Sequence, residues 1–181
     1  FDNFIDENKY WIRDYAIYKV LKFTNGNSGW EDWAEEYKNG EKNALEDFEK
    51  YNTEKLRFHY WLQWQLFEQL QSVKKYANEK GVFIMGDIPF LVRKDSCDVW
   101  SNKQYFNLDL LSGAPPDMYF SNGQRWGMPP YNIDEVEKDG YKYFTDKLKY
   151  AKYFYDMYRI DHFVGFFRVW TIDKNEPIET G

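Results

Sequence analysis

The most constraining pattern in this 181-residue chain is a helix, a glycine, a strand and an acid, in that order. From Thr53 to Asn78, the residues Phe58, Trp61, Leu62, Gln65, Leu66, Gln69 and Leu70 trace one helical face, which Val73, Tyr76 and Ala77 continue. Gly81 stands where a helix C-terminus calls for a left-handed residue. Val82-Phe83-Ile84-Met85 then reads as a short apolar strand ending at Gly86-Asp87-Ile88-Pro89. A second helix over Tyr141 to Tyr155 feeds a second strand over Met157 to Ile160, which ends at Asp161. Helices that alternate with short apolar strands predict an α/β fold with parallel pairing.

The flanking segments fit the same frame. Asp6 to Phe23 and Glu41 to Tyr51 read as further helices, separated by Gly26, Ser28 and Gly29, a short Trp30–Trp33 segment, and Gly40. Residues 90–133 show no sustained period. A connection of that length is too long to be idle, and its aromatic residues argue against disorder. It is expected to be an insertion loop that builds a site.

Charge and composition exclude several classes. Lys plus Arg total 24 against 30 acids, a formal charge of −6. A nucleic acid or an anionic membrane as main partner would need a basic face, so neither is expected. Cys97 is the only cysteine, which rules out an internal disulfide and fits a reducing compartment. No stretch approaches the ~20 apolar residues of a membrane span, and Phe1–Trp11 lacks the form of a signal peptide. A cytoplasmic location is the expectation. The two histidines, His59 and His162, are far apart, and neither sits in a ligand spacing. Asp95 and Asp98 lack the pattern of a calcium loop. No metal and no cofactor are expected. Aromatic residues make up 22% of the chain. Sugar stacking is one explanation; an AT-rich genome, favouring Phe, Tyr, Lys and Asn together, is the plainer one.

Three segments carry candidate chemistry. Asp87, at the end of the first strand, is placed either to accept hydrogen bonds from substrate hydroxyls or to cap a loop. The segment from Ala114 to Gly127 mixes stiffening prolines, permissive glycines, aromatics and an amide, which suits a sugar-binding loop or a packed surface loop. In Tyr158-Arg159-Ile160-Asp161-His162-Phe163, an arginine lies two residues before a strand-end carboxylate and on the same side of the strand.

Together these segments closely resemble the 4-alpha-glucanotransferases, called amylomaltases or disproportionating enzymes, of glycoside hydrolase family 77. The strings GDIPFLV, DSCDVW, GQRWGMPPY and RIDHFVGF, in fixed order, carry the resemblance, supported upstream by Trp11–Lys22 and Arg57–Gln65. The resemblance implies that residues 1–181 are part of a (β/α)8 TIM barrel with inserted segments, ending after about the fourth strand. Its substrates would be α-1,4-glucans and maltooligosaccharides, whose segments it would transfer by a retaining double displacement. Asp161 matches the family's nucleophile, and Arg159 the arginine that orients it and keeps it ionised. His162 and Asp87 match residues lining the sugar subsite nearest the cleaved bond. Tyr119, Phe120, Gln124 and Trp126 match glucan-contacting positions on the insertion. A non-catalytic glucan-binding module and a retaining hydrolase of the same architecture are the alternatives.

The resemblance also implies a missing part. The family's acid/base glutamate lies beyond the nucleophile, and neither Glu176 nor Glu179 matches its motif, so the chain alone is expected to be inactive. Val164 stands where the family usually has arginine, Met118 is inserted before the Tyr-Phe pair, and Met128 replaces a frequent asparagine.

Overall fold

A computed structural model describes residues 1–177. The chain forms two compact units. Unit 1 takes in Phe1–Tyr76 and Asp95–Ser101, and unit 2 takes in Ala77–Lys94 and the residues from Asn102 onward.

Unit 1 is helical. It holds α1 (Asp2–Thr24), α2 (Glu35–Lys38), all but the last turn of α3 (Lys42–Glu79), and α4 (Cys97–Ser101). Helix α3 leaves helical geometry at Asn52, with φ −123° and ψ 21°. That is where the sequence reading divides it. The Asn52 side-chain amide donates to the Phe48 carbonyl at 3.0 Å. Arg13 of α1 grips Glu49 of α3 with two parallel bonds, Nε–Oε1 at 3.0 Å and Nη2–Oε2 at 2.6 Å.

The stripe of α3 that α1 covers differs from the one traced in the sequence. Tyr15 of α1 receives a hydrogen bond from Gln63 at 3.1 Å and meets the His59 ring edge-on, while Phe4 packs on Phe67. The covered face therefore runs through Leu56, His59, Gln63 and Phe67. Phe58, Leu66, Val73 and Tyr76, which the sequence places on the apolar face, are half exposed or more. Both a polar bond to Tyr15 and the Phe4–Phe67 ring contact lie on this face.

A second cluster of unit 1 is aromatic. The rings of Tyr18, Trp33 and Trp100 lie 5.4–5.9 Å apart, and Trp30 and Trp33 are buried. The Asp95 carboxylate ties this cluster together. It accepts the Tyr18 hydroxyl at 2.8 Å and the Trp30 N–H at 3.4 Å, and it pairs with Lys22.

Unit 2 is α/β. Strand β1 (Met85–Ile88) pairs in parallel with a strand that the preceding helix, Lys142–Ala151, delivers after a short turn. Between them come β2 (Leu110–Ala114), β3 (Gln124–Arg125), α5 (Ile133–Lys138) and that helix, α6; the parallel partner is β4 (Met157–Ile160), and β5 (Trp170–Asp173) follows. The register sets Gly86 against Tyr158 and Asp87 against Arg159. A three-stranded antiparallel sheet orders its strands β3-β2-β5. The buried residues of this unit include Phe90, Phe106, Tyr131, Val136 and Ile172.

The expected parallel pairing is present, but β1 starts at Met85, not Val82. The earlier residues are held by the helix end and by a side chain. Val82 N–H closes on the Ala77 carbonyl at 3.0 Å over Gly81, whose φ is +74°. Ile84 N–H goes to the Asp156 carboxylate at 2.9 Å. Residues 90–133, aperiodic in sequence, hold α4, β2 and β3; each is too short to show a period.

Candidate active site

Parallel register and the two-residue alternation of a strand set the first part of the site. Asp87 and Arg159 are direct partners on β1 and β4, so their side chains leave the same face. Arg159 Nε meets Asp87 Oδ1 at 3.1 Å, and Arg159 Nη2 meets Asp161 Oδ1 at 3.5 Å. One guanidinium thus spans two carboxylates from different strand ends. All three side chains are more than half exposed, so each pair contributes only about 0–1 kcal/mol to stability. The arrangement orients these groups and leaves them open to a ligand.

His162 follows in left-handed backbone, φ +47° and ψ 45°, a region that a residue with a Cβ seldom adopts. The turn is closed by Gly165 N–H on the His162 carbonyl at 2.8 Å. It sets the imidazole between two rings. Trp126 meets it edge-to-face, with centroids 5.1 Å apart at 88°, and Phe90 lies 5.6 Å away at 48°.

The segment that delivers Trp126 is fixed by the antiparallel sheet. Gln124 pairs with Ala114, and Trp126 N–H reaches the Ser112 carbonyl at 2.9 Å. The Gln124 side-chain oxygen accepts the Trp126 indole N–H at 3.2 Å, linking two of the residues singled out in the sequence. Tyr119 and Phe120 belong to a separate turn. Their backbone N–H groups both donate to Asp117 Oδ1 at 2.7 Å, and their rings face solvent, 81% and 52% exposed. Five sequence candidates thus form two local groups, Asp87–Arg159–Asp161 and His162–Trp126, with Gln124 joined to the second. Tyr119 and Phe120 stand apart and exposed.

Phe90 and Gly165 escape the sequence reading. Both occur in strings that point to the site, but a buried phenylalanine and a glycine without positive φ carry no chemical signature of their own. Among the described residues, no three His, Cys, Asp or Glu side chains converge as metal ligands would, and no helix is long and apolar enough to cross a membrane. Glu176 is exposed, and Glu179 lies outside the described residues.

An acid–arginine–acid array thus stands at the ends of a parallel strand pair in an α/β unit. The model of the 4-alpha-glucanotransferase family matches residues 1–180, and the chain belongs to that family. It is 39% identical to the 4-alpha-glucanotransferase of Chlamydia caviae over 175 residues, covering 97% of this chain and 33% of that protein. It is 36% identical to the enzyme of Aquifex aeolicus, covering 97% of this chain and 37% of that protein. The amylomaltase from Streptococcus agalactiae, solved in complex with acarbose, superposes with a TM-score of 0.91 at 31% identity, over 98% of this chain and 37% of that one. The chain spans about a third of the length of these relatives.

Proposed function

We propose that this chain supplies the nucleophile side of a 4-alpha-glucanotransferase that moves α-1,4-glucan segments between maltooligosaccharides. The observation that carries the reading is the Arg159 guanidinium held between Asp87 and Asp161. Family membership supports the reaction class. Asp161 attacks the anomeric carbon, the glycosidic bond breaks, and a covalent glucosyl–Asp161 ester forms. Arg159 fixes the direction in which Asp161 presents its oxygens. Asp87 and His162 bind hydroxyls of the sugar at the cleaved bond, and Trp126 and Gln124 hold the wall beside it. Tyr119 and Phe120 offer faces to neighbouring glucose rings.

The proposed architecture is part of a (β/α)8 barrel, of which β1 and β4, each entered from a helix, form two steps. Protonation of the leaving oxygen needs a second carboxyl about 5–5.5 Å from the nucleophile in a retaining site. No candidate in this chain matches it, so the chain alone is expected to give no turnover.

A glycosyl fluoride removes the need for that acid, because fluoride leaves unaided. The test is intact-mass analysis of the chain incubated with α-maltotriosyl fluoride. One maltotriosyl unit gained on Asp161, and none in Asp161→Asn, is the expected result. A companion assay places residues 1–177 in the matching third of the Chlamydia caviae enzyme and follows maltotriose. Glucose plus longer oligosaccharides marks transfer, whereas maltose and glucose alone mark hydrolysis. A folded, active chimera whose Asp161→Asn variant keeps its rate refutes the nucleophile assignment.

A further inference from the structure

Gly165 lies one turn beyond Asp161, and its missing side chain is what leaves room for the His162 ring. A Cβ built there would stand 2.6 Å from His162 Cδ2 and 2.5 Å from Phe90 Cζ, and closer still to Phe90 Cε1. Carbon atoms in contact sit about 3.5–4.0 Å apart, so one methyl group would have to displace one ring or both by roughly 1 Å.

Phe90 is poorly placed to yield. It is 6% exposed and boxed by Phe166 at 5.0 Å and Tyr131 at 5.8 Å, both edge-on. Tyr131 is itself backed by Phe144 at 4.8 Å. His162 is the softer member. It is exposed, and its ring meets Trp126 and Phe90 at centroid distances of 5.1 and 5.6 Å. A group at residue 165 therefore moves the imidazole first.

We propose that Gly165 and Phe90 are positioning residues, which set the His162 ring against Trp126 beside the Asp161 carboxylate. Neither touches the reacting atoms. Phe90 acts as a fixed back wall, and Gly165 as the gap that lets the imidazole lie on it. The consequence for glucan handling rests on the function proposed above, but the geometric claim does not.

The chain has only two histidines, so imidazole NMR reads the proposal directly. In the intact chain, Gly165→Ala is expected to shift the His162 ring signals, because the flanking aromatic rings impose their ring currents on it. The His59 signals are expected to stay in place. If Gly165→Ala does not fold, Gly165→Ala combined with Phe90→Leu removes two of the three close approaches, and its His162 signals are compared with those of Phe90→Leu alone. Unmoved His162 signals in a folded variant overturn the proposal.

In the Chlamydia caviae chimera, Gly165→Ala should lower kcat/KM for maltotriose by roughly 10- to 100-fold, the cost of about 1 Å misplacement. His162→Gln should then make the Gly165→Ala change nearly silent, which a general folding defect would not do. A moved His162 ring with unchanged kcat/KM overturns the positioning role. A chimera that is folded but inactive with Gly165 intact counts against the proposed function, and the imidazole signals still decide the role of Gly165.

Discussion

Gly86→Ala tests the packing that aligns Asp87 with Arg159. A Cβ at residue 86 would meet Cγ, Cδ2 and Cε2 of the Tyr155 ring, all under 3.0 Å away. Contact between carbons begins near 3.5 Å, so ring and strand must part by more than about 1 Å. Cγ is the root of the ring, so a rotation about the side chain's far bonds does not relieve it. The strands resist as well, since Asp156 and Met157 N–H groups both close on the Ile84 carbonyl, at 2.8 and 3.3 Å. Overpacking of this kind costs about 1–3 kcal/mol. Tyr155 is only half-buried, which gives the ring some path toward solvent and places the expectation near 2 kcal/mol. In a chain of this size that is a fall of roughly 4–8 °C in Tm. The assay is urea unfolding of the parent, Gly86→Ala, Tyr155→Ala and the double variant. A coupling of about 1 kcal/mol or more, with Tyr155→Ala absorbing most of the glycine's cost, is expected. A Gly86→Ala midpoint within about 0.5 kcal/mol of the parent, or purely additive variants, would refute the argument.

Other outcomes follow from the same structure. Ser112 is fully buried, and its hydroxyl has no hydrogen-bond partner among the described residues, so Ser112→Ala should leave the urea midpoint unchanged or raise it. A loss beyond about 0.5 kcal/mol would show a partner for that hydroxyl. Arg159→Lys should cost less than about 1 kcal/mol of stability, because both of its ion pairs are exposed, yet should uncouple Asp87 from Asp161. A larger loss in thermal unfolding would show that the array is structural. Burial pushes the Asp95 carboxyl up, but hydrogen bonds from Lys22 and Tyr18, the Lys22 charge and the Trp30 N–H outweigh it, and the net direction is down. Its contribution is present above the ordinary carboxylate range and is lost as pH falls through the lower folded value, so Asp95→Asn should flatten the acid limb of stability against pH. His59 is lowered by burial and then by the Lys19 charge, so its contribution is present above the ordinary histidine value and is lost as pH falls through the lower folded one. His59→Gln should flatten the limb nearer neutrality, and an unchanged profile in either variant contradicts its assignment.

What the sequence determined by itself was local. The break at Asn52, the left-handed cap at Gly81, the strand Met157–Ile160 and the two-residue spacing of Arg159 and Asp161 all follow from propensity and period within one segment. The chemical identity of Asp87, Asp161, His162 and Trp126 was also legible, through strings that resemble a family. The tertiary structure decided which groups meet. Asp87 and Arg159 are 72 residues apart, and only the parallel register of β1 and β4 makes them partners. Which stripe of α3 meets α1 depends on what Tyr15 and Phe4 offer from another helix, and it is not the apolar stripe read along α3. Strand β1 begins three residues late because Asp156, far along the chain, takes the Ile84 N–H. Gly165 could not be read at all. Its meaning is a volume that Phe90 and His162 fill from two different elements, and a sequence does not record empty space.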